Sequence, residues 1–195
     1  MTMEFWLCFV PLFVAVDAVG VLPFFLSLTE GLNGVRLRSV ILQSVVTAAL
    51  VALGFLFIGP PLLRMLGITV PDFMVAGGAL LFLIAMGDMM RGEKARAKVG
   101  LDTLGAVPIG VPLITGPAVL TTTLLLMEQH GHILTSLAIV ANVLIAGLIF
   151  LFAAPIGRFL GGPGTKTISK IASLLLAAIA VMVVRKGLTA IIQGS

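Results

Sequence analysis

Six apolar runs, each about long enough to cross a bilayer, take up nearly all of this chain: residues 5–27, 38–58, 70–90, 104–127, 131–154 and 167–187. A helix needs roughly 20 apolar residues to span a hydrocarbon core of about 30 Å. With so much of the sequence committed to such runs, nothing is left to build a soluble core. Composition agrees, since 59% of the residues are apolar and 10% charged, against about 25% charged in an ordinary soluble domain. The expected fold is an all-α integral membrane protein, one transmembrane domain over 1–195 with six transmembrane helices.

The separators carry breakers and charge. Gly31-Leu-Asn-Gly34 with Arg36 and Arg38 follows the first run, and Gly59-Pro60-Pro61 is expected to stop the second, leaving Leu62–Gly67 as a short interfacial piece. A polar segment, 91–103, divides the chain; His130-Gly131-His132 makes a tight turn, and Gly161-Gly-Pro-Gly164 precedes the sixth run. Lys and Arg number nine in separators 1–2, 3–4 and 5–6 and three in the remaining ends and separators. Basic residues gather on the cytoplasmic side, which puts both termini on the outer face of a cytoplasmic (inner) membrane. The net charge of +4 therefore reports topology and implies no nucleic-acid partner. Cys8, the sole cysteine, excludes an intramolecular disulfide and any CxxC pair. No basic residue precedes the first run, so it reads as a retained helix rather than a leader.

The two halves echo one another. Val10-Pro-Leu12 matches Val111-Pro-Leu113, and Gly77–Ala85 aligns with Ala172–Ala180. Each half, about 5–91 and 104–188, has three crossings, an odd number, so the copies must run in opposite directions. That is an inverted repeat.

Helices 1 and 4 are interrupted by Gly or Pro at their midpoints. The first contains Asp17, Gly20 and Pro23, and the second contains Thr115, Gly116 and Pro117 followed by Thr121, Thr122 and Thr123. Freed backbone groups in hydrocarbon need protein or water partners, so paired breaks point to a binding site near mid-membrane. An Asp at that depth costs about 2.5–3.5 kcal/mol and normally faces a cavity or a partner. Alternatively, or in addition, Asp17 caps the half-helix that follows it. Pro117 suits the first turn of a helix, whose free N–H groups and dipole would favour a carboxylate. For any single threonine, a bond back to its own helix is the simpler reading. Asn142 lies mid-helix, where it either reaches the cavity or bonds a neighbouring helix. Gln43, Ser44 and Thr47 are further polar residues inside a run, and Asp88 pairs along its helix with Arg91. Glu128, His130 and His132 are too few for a metal site, and no nucleotide loop or catalytic arrangement is present, so neither an enzyme nor a cofactor is expected.

Asp17-x-x-Gly20-x-x-Pro23, Ala76-Gly-Gly-Ala-Leu-Leu-Phe82 and Val107-Pro…Val111-Pro-Leu-Ile-Thr-Gly-Pro117 resemble the MarC/SnatA family over nearly the whole chain. The resemblance implies a six-helix bacterial or archaeal membrane protein, similar to transporters of small neutral amino acids. One departure is visible: the family pattern has Asp/Asn-Pro at the first break, whereas Ala18 follows Asp17 here. A milder first break is expected, or one that depends on Gly20 and Pro23.

The expected function is secondary transport of a small zwitterion in the lipid bilayer, coupled to H+ or Na+, with a homo-oligomer compatible with it. A channel and a non-transporting subunit docking through Gly77-Gly78 are the alternatives. The expected site is Asp17, Gly20, Pro23, Thr115, Gly116, Pro117, Thr121 and Asn142.

Overall fold

The computed structural model describes residues 2–29, 31–90 and 105–193, and among them there are helices and turns but no strand. The helices are α1 (Thr2–Val16), α2 (Ala18–Leu28), α3 (Gly34–Leu66), α4 (Val70–Met90), α5 (Gly105–Ile114), α6 (Pro117–Leu151) and α7 (Ala153–Gln193). Among the described residues five stretches are long and apolar enough to cross a membrane: Met3–Leu22, Gly34–Leu66, Val70–Gly87, Pro117–Leu151 and Ser173–Gln193. This is a multi-pass integral membrane protein. The expected 91–103 separator and the partner of Asp88, Arg91, lie outside the described residues.

Local chemistry explains most of the ends. Asn33 caps α3 by accepting from the Arg36 N–H at 2.9 Å. The helix then continues through Pro60 and Pro61 to Leu66, so the expected stop at residue 58 and the separate piece at 62–67 are both corrected. Ending a helix leaves four carbonyls unpaired, whereas passing a proline forfeits about one bond, and in apolar surroundings the second cost is smaller. Termination waits for Gly67, which takes φ 66° and donates to the Leu63 and Arg64 carbonyls, while Ile68 N–H also reaches Leu63 O at 3.0 Å. An L side chain in that left-handed conformation costs roughly 1–2 kcal/mol. Gly67→Ala is therefore expected to lower the melting temperature of the detergent-solubilised protein by a few degrees. Two residues on, Thr69 and Asp72 cap reciprocally: Thr69 N–H donates to the Asp72 carboxylate at 2.9 Å and Asp72 N–H to the Thr69 hydroxyl at 3.3 Å. A second correction concerns Gly161–Gly164, expected as a separator but lying within the continuous helix α7.

Small residues bring the helices close, as is usual where lipid supplies no hydrophobic drive between them. α4 and α7 run antiparallel in backbone contact. A Cβ added at Gly78 would lie 2.9 Å from Ala180 O, and one at Gly187 would lie 2.8 Å from Pro71 O. α5 presses on α3 in the same way: a Cβ added at Gly105 would lie 2.5 Å from Val40 O, and one at Gly110 would lie 3.0 Å from Thr47 Cβ.

α6 is not one rod. Gly131 leaves helical geometry (φ 79°, ψ 173°), and the chain doubles back along α3. Thr115 bonds Ala48, His132 stacks on Phe57 with ring centroids 5.4 Å apart, and Gly147 packs on Val45. α1 lies against the returning half of α6 through the buried stripe Cys8, Leu12 and Val16. Farther along, Phe25 of α2 stacks on Phe150 at 4.3 Å.

Candidate functional site

The first break is a single residue. Asp17 has φ 43° and ψ 48°, the one non-glycine with positive φ among the described residues. Asp tolerates this conformation because its short carboxylate can bond locally. Its Oδ1 accepts from Gly20 N–H at 3.1 Å. In an unbroken helix that N–H would go to the Val16 carbonyl. Asp17 N–H still reaches Phe13 O, and Asp17 O still accepts from Val21 N–H. The chain axis is interrupted, but two ladder bonds bridge the interruption. Asp17 is exposed, as are Val10, Phe13 and Val14 of α1. Gly20 is needed here because a Cβ would collide with the Asp17 carboxylate. Gly20 and Pro23 both fall inside α2, not at the break itself.

The second break is longer. Val107 (φ −136°, ψ 122°) and Val111 (φ −135°, ψ 127°) are extended, and each precedes a proline, whose ring disfavours helical torsions in the residue before it. α5 is thus a pair of wide turns, and Thr115 N–H bonds Gly110 O, five residues back, at 3.0 Å. The regular helix expected from 104 starts only at Pro117. Gly116 (φ −86°, ψ 178°) stands before it and supplies no side-chain cap. Thr115, Gly116 and Pro117 are all buried. Thr115 Oγ donates to Ala48 O at 2.9 Å, and the Pro117 ring fills the space a side chain at Gly77 would need. The start of α6 is thereby fixed between α3 and α4.

Around these breaks the polar side chains divide into two groups. Thr121 donates to Pro117 O at 2.7 Å, the bond back to its own helix expected of it. Ser44, Thr29 and Thr135 do likewise. Asn142 uses both amide hydrogens, one on Ala138 O at 2.9 Å and one on Phe9 O of α1 at 3.2 Å. Among the described residues its Oδ1 has no partner, and neither does Thr123 Oγ. α2 touches both α5 and α6, so the helix that follows Asp17 adjoins the second break. Among the described residues the Asp17 carboxylate is bonded only to Gly20. No group of three or more His, Cys, Asp or Glu that could hold a metal occurs among the described residues.

Residues 2–192 match the family described as MarC family integral membrane protein. The chain belongs to the MarC family. Among its relatives are the UPF0056 membrane protein MJ0972 of Methanocaldococcus jannaschii, 32% identical over 92% of this chain and 84% of that protein. Another, from Aquifex aeolicus, is 31% identical over 95% and 94%. The UPF0056 inner membrane protein YhgN of Escherichia coli is 28% identical over 94% and 95%. No solved structure matches this chain.

For this MarC-family chain the missing proline after Asp17 is not a missing break, since the left-handed Asp17 makes the interruption itself. The sequence signal for the extended valines is the proline that follows each of them. The unpartnered oxygens of Thr123 and Asn142 have no sequence signature. The Gly77-Gly78 face is already occupied, by Pro117 on one side and by Ala180 and Val184 on the other, so it offers no free surface for a docking subunit.

Proposed function

We propose that this protein is a secondary transporter of small neutral amino acids, built from six crossings as two inverted three-helix repeats. The reversal at Gly131 supports the sixth crossing by dividing α6 into two arms. Exchange of contacts between the halves supports the inversion. The broken helix of the first half, α1, lies on the returning arm of α6, and the broken segment of the second half, α5, lies on α3. The third helices, α4 and α7, pack on each other. A two-fold axis in the membrane plane generates this pattern, and sites in such folds lie where the broken helices meet.

The observation that carries the reading is the start of α6 at Gly116-Pro117: a buried helix N-terminus with no side-chain cap, inside an apolar protein. It suits the carboxylate of a zwitterion. Asp17 supplies the negative charge, balancing the ammonium group or a coupling proton or sodium ion. Thr115 and Thr121, whose hydroxyls are spent on Ala48 and Pro117, position the break rather than bind. Gly20 leaves room for the Asp17 carboxylate at the first break, Pro23 lies within α2 beyond it, and Asn142 ties the returning arm of α6 to α1. The site is the cytoplasmic membrane, with both termini outside on the nine-to-three count of basic residues.

Purified protein in liposomes should accumulate labelled alanine when a proton or sodium gradient is imposed, and unlabelled glycine or serine should compete. Accumulation no greater than in protein-free liposomes under either gradient would refute the reading.

A further inference from the structure

Buried polar atoms in folded proteins nearly always have partners, so each exception calls for a reason. Two exceptions occur among the described residues, both on α6. Thr123 is 0% exposed and Asn142 1% exposed, and the oxygens Thr123 Oγ and Asn142 Oδ1 are both unbonded. Thr123 breaks the habit of its neighbours: Thr29, Ser44, Thr121 and Thr135 all donate to the carbonyl four residues back, and Thr123 does not. Asn142 cannot be relieved by turning its amide over, because that would aim Oδ1 at the Phe9 and Ala138 carbonyls. Its two N–H bonds fix the oxygen as a free acceptor.

Both residues lie on α6, on opposite arms and at similar distances from Gly131. At 1.5 Å per residue that places them within about 5 Å of one depth. The contacts with α3 fix that depth. Since Gly147 meets Val45 and His132 meets Phe57, Asn142 falls near the level of Ala48, where Thr115 is bonded. The start of α6 and the Asn142 oxygen therefore share a layer.

We propose that Asn142 Oδ1 and Thr123 Oγ are the polar contacts for the substrate's ammonium group, which separates the ammonium subsite from Asp17 and leaves that exposed carboxylate to the coupling cation. The proposal rests on the transport reading above and adds a division of labour to it. An α-amino acid has its carboxylate and ammonium on one carbon, so it needs an N–H cluster and an oxygen acceptor at nearly the same depth. The α6 N-terminus and Asn142 meet that need. The Asp17 carboxylate is exposed and is committed to capping α2.

The test compares alanine with lactate, which carries a hydroxyl in place of the ammonium, as competitors of labelled alanine uptake. Thr123→Val keeps the side-chain shape and removes only the unbonded hydroxyl, so its melting temperature should hold or rise while alanine affinity falls at least fivefold. Asn142→Leu should reduce the preference for alanine over lactate at least tenfold. Equal loss for both competitors in Asn142→Leu would show Asn142 to be only a clamp on Phe9 and overturn the proposal. Unchanged alanine affinity in Thr123→Val would overturn the part played by Thr123, and that variant decides the matter if Asn142→Leu does not fold. If wild-type protein shows no saturable alanine uptake, the transport reading fails first and this subsite with it.

Discussion

Asp17→Asn is expected to abolish gradient-driven alanine uptake while leaving the folded protein intact. Asparagine is the other residue that tolerates left-handed torsions, and its side-chain oxygen can take the Gly20 N–H as the carboxylate does. The substitution thus keeps the break and its cap and removes only the charge. Two companions separate the remaining roles. Asp17→Gly keeps the torsion (φ 43°) without the cap, and should cost a few tenths to about 1 kcal/mol of stability. Asp17→Ala loses both, about 1–2 kcal/mol for the torsion and about 1 kcal/mol for the cap. The expected order of melting temperature is Asp ≈ Asn > Gly > Ala, with counterflow exchange of alanine in Asn showing whether binding survives. Full gradient-driven uptake in Asp17→Asn would remove the charge from the mechanism.

Gly77→Ala is expected to give the largest loss of stability among single-methyl additions in α4. The added carbon would strike the Pro117 ring, a rigid group held in the first turn of α6, so α4 or α6 has to shift. Overpacking of this kind costs about 1–3 kcal/mol. The shift would also displace Gly116 and the α6 N-terminus, so alanine uptake should fall further than the loss of folded protein explains. Gly87→Ala is the internal control: it lies on the same helix with nothing within 4 Å of the added carbon. It should be neutral or gain up to about 1 kcal/mol from helix propensity. Scanning fluorimetry of the two variants in one detergent makes the comparison, and equal melting temperatures would contradict the packing described.

The positions of the breaks were legible in the sequence because apolar runs make exceptions conspicuous. Asp17 and Gly116-Pro117 stand out in an apolar setting, and the chain does leave its helix at both. Helix ends were less legible. Pro60-Pro61 and Gly161–Gly164 resemble stops, yet α3 and α7 continue through them, since continuing leaves fewer groups unbonded in hydrocarbon than stopping does. The effective stop was Gly67, whose left-handed torsion is needed for its own bonds to α3. Within the site, the carboxylate cap of Asp17 and the self-bonding of Thr121 followed from local spacing. The direction of the Asn142 amide could not, because it is set by Phe9, which is distant in sequence and adjacent only after folding.

The length of α3 has a consequence for the surrounding lipid. Its 33 residues extend about 50 Å, well beyond a hydrocarbon core of about 30 Å. Arg38 and Arg64 mark the ends of the stretch that can be immersed, separated by roughly 39 Å of helix at 1.5 Å per residue. A guanidinium can snorkel to the headgroups but is costly deeper. The two arginines therefore act as callipers, set close to the 40–45 Å of a bilayer with its interfaces. Thinner membranes force the helix to lean, and Gly105 and Gly110, in tight contact with it, must follow. The bilayer thickness that the protein fits without leaning is then a property written into α3.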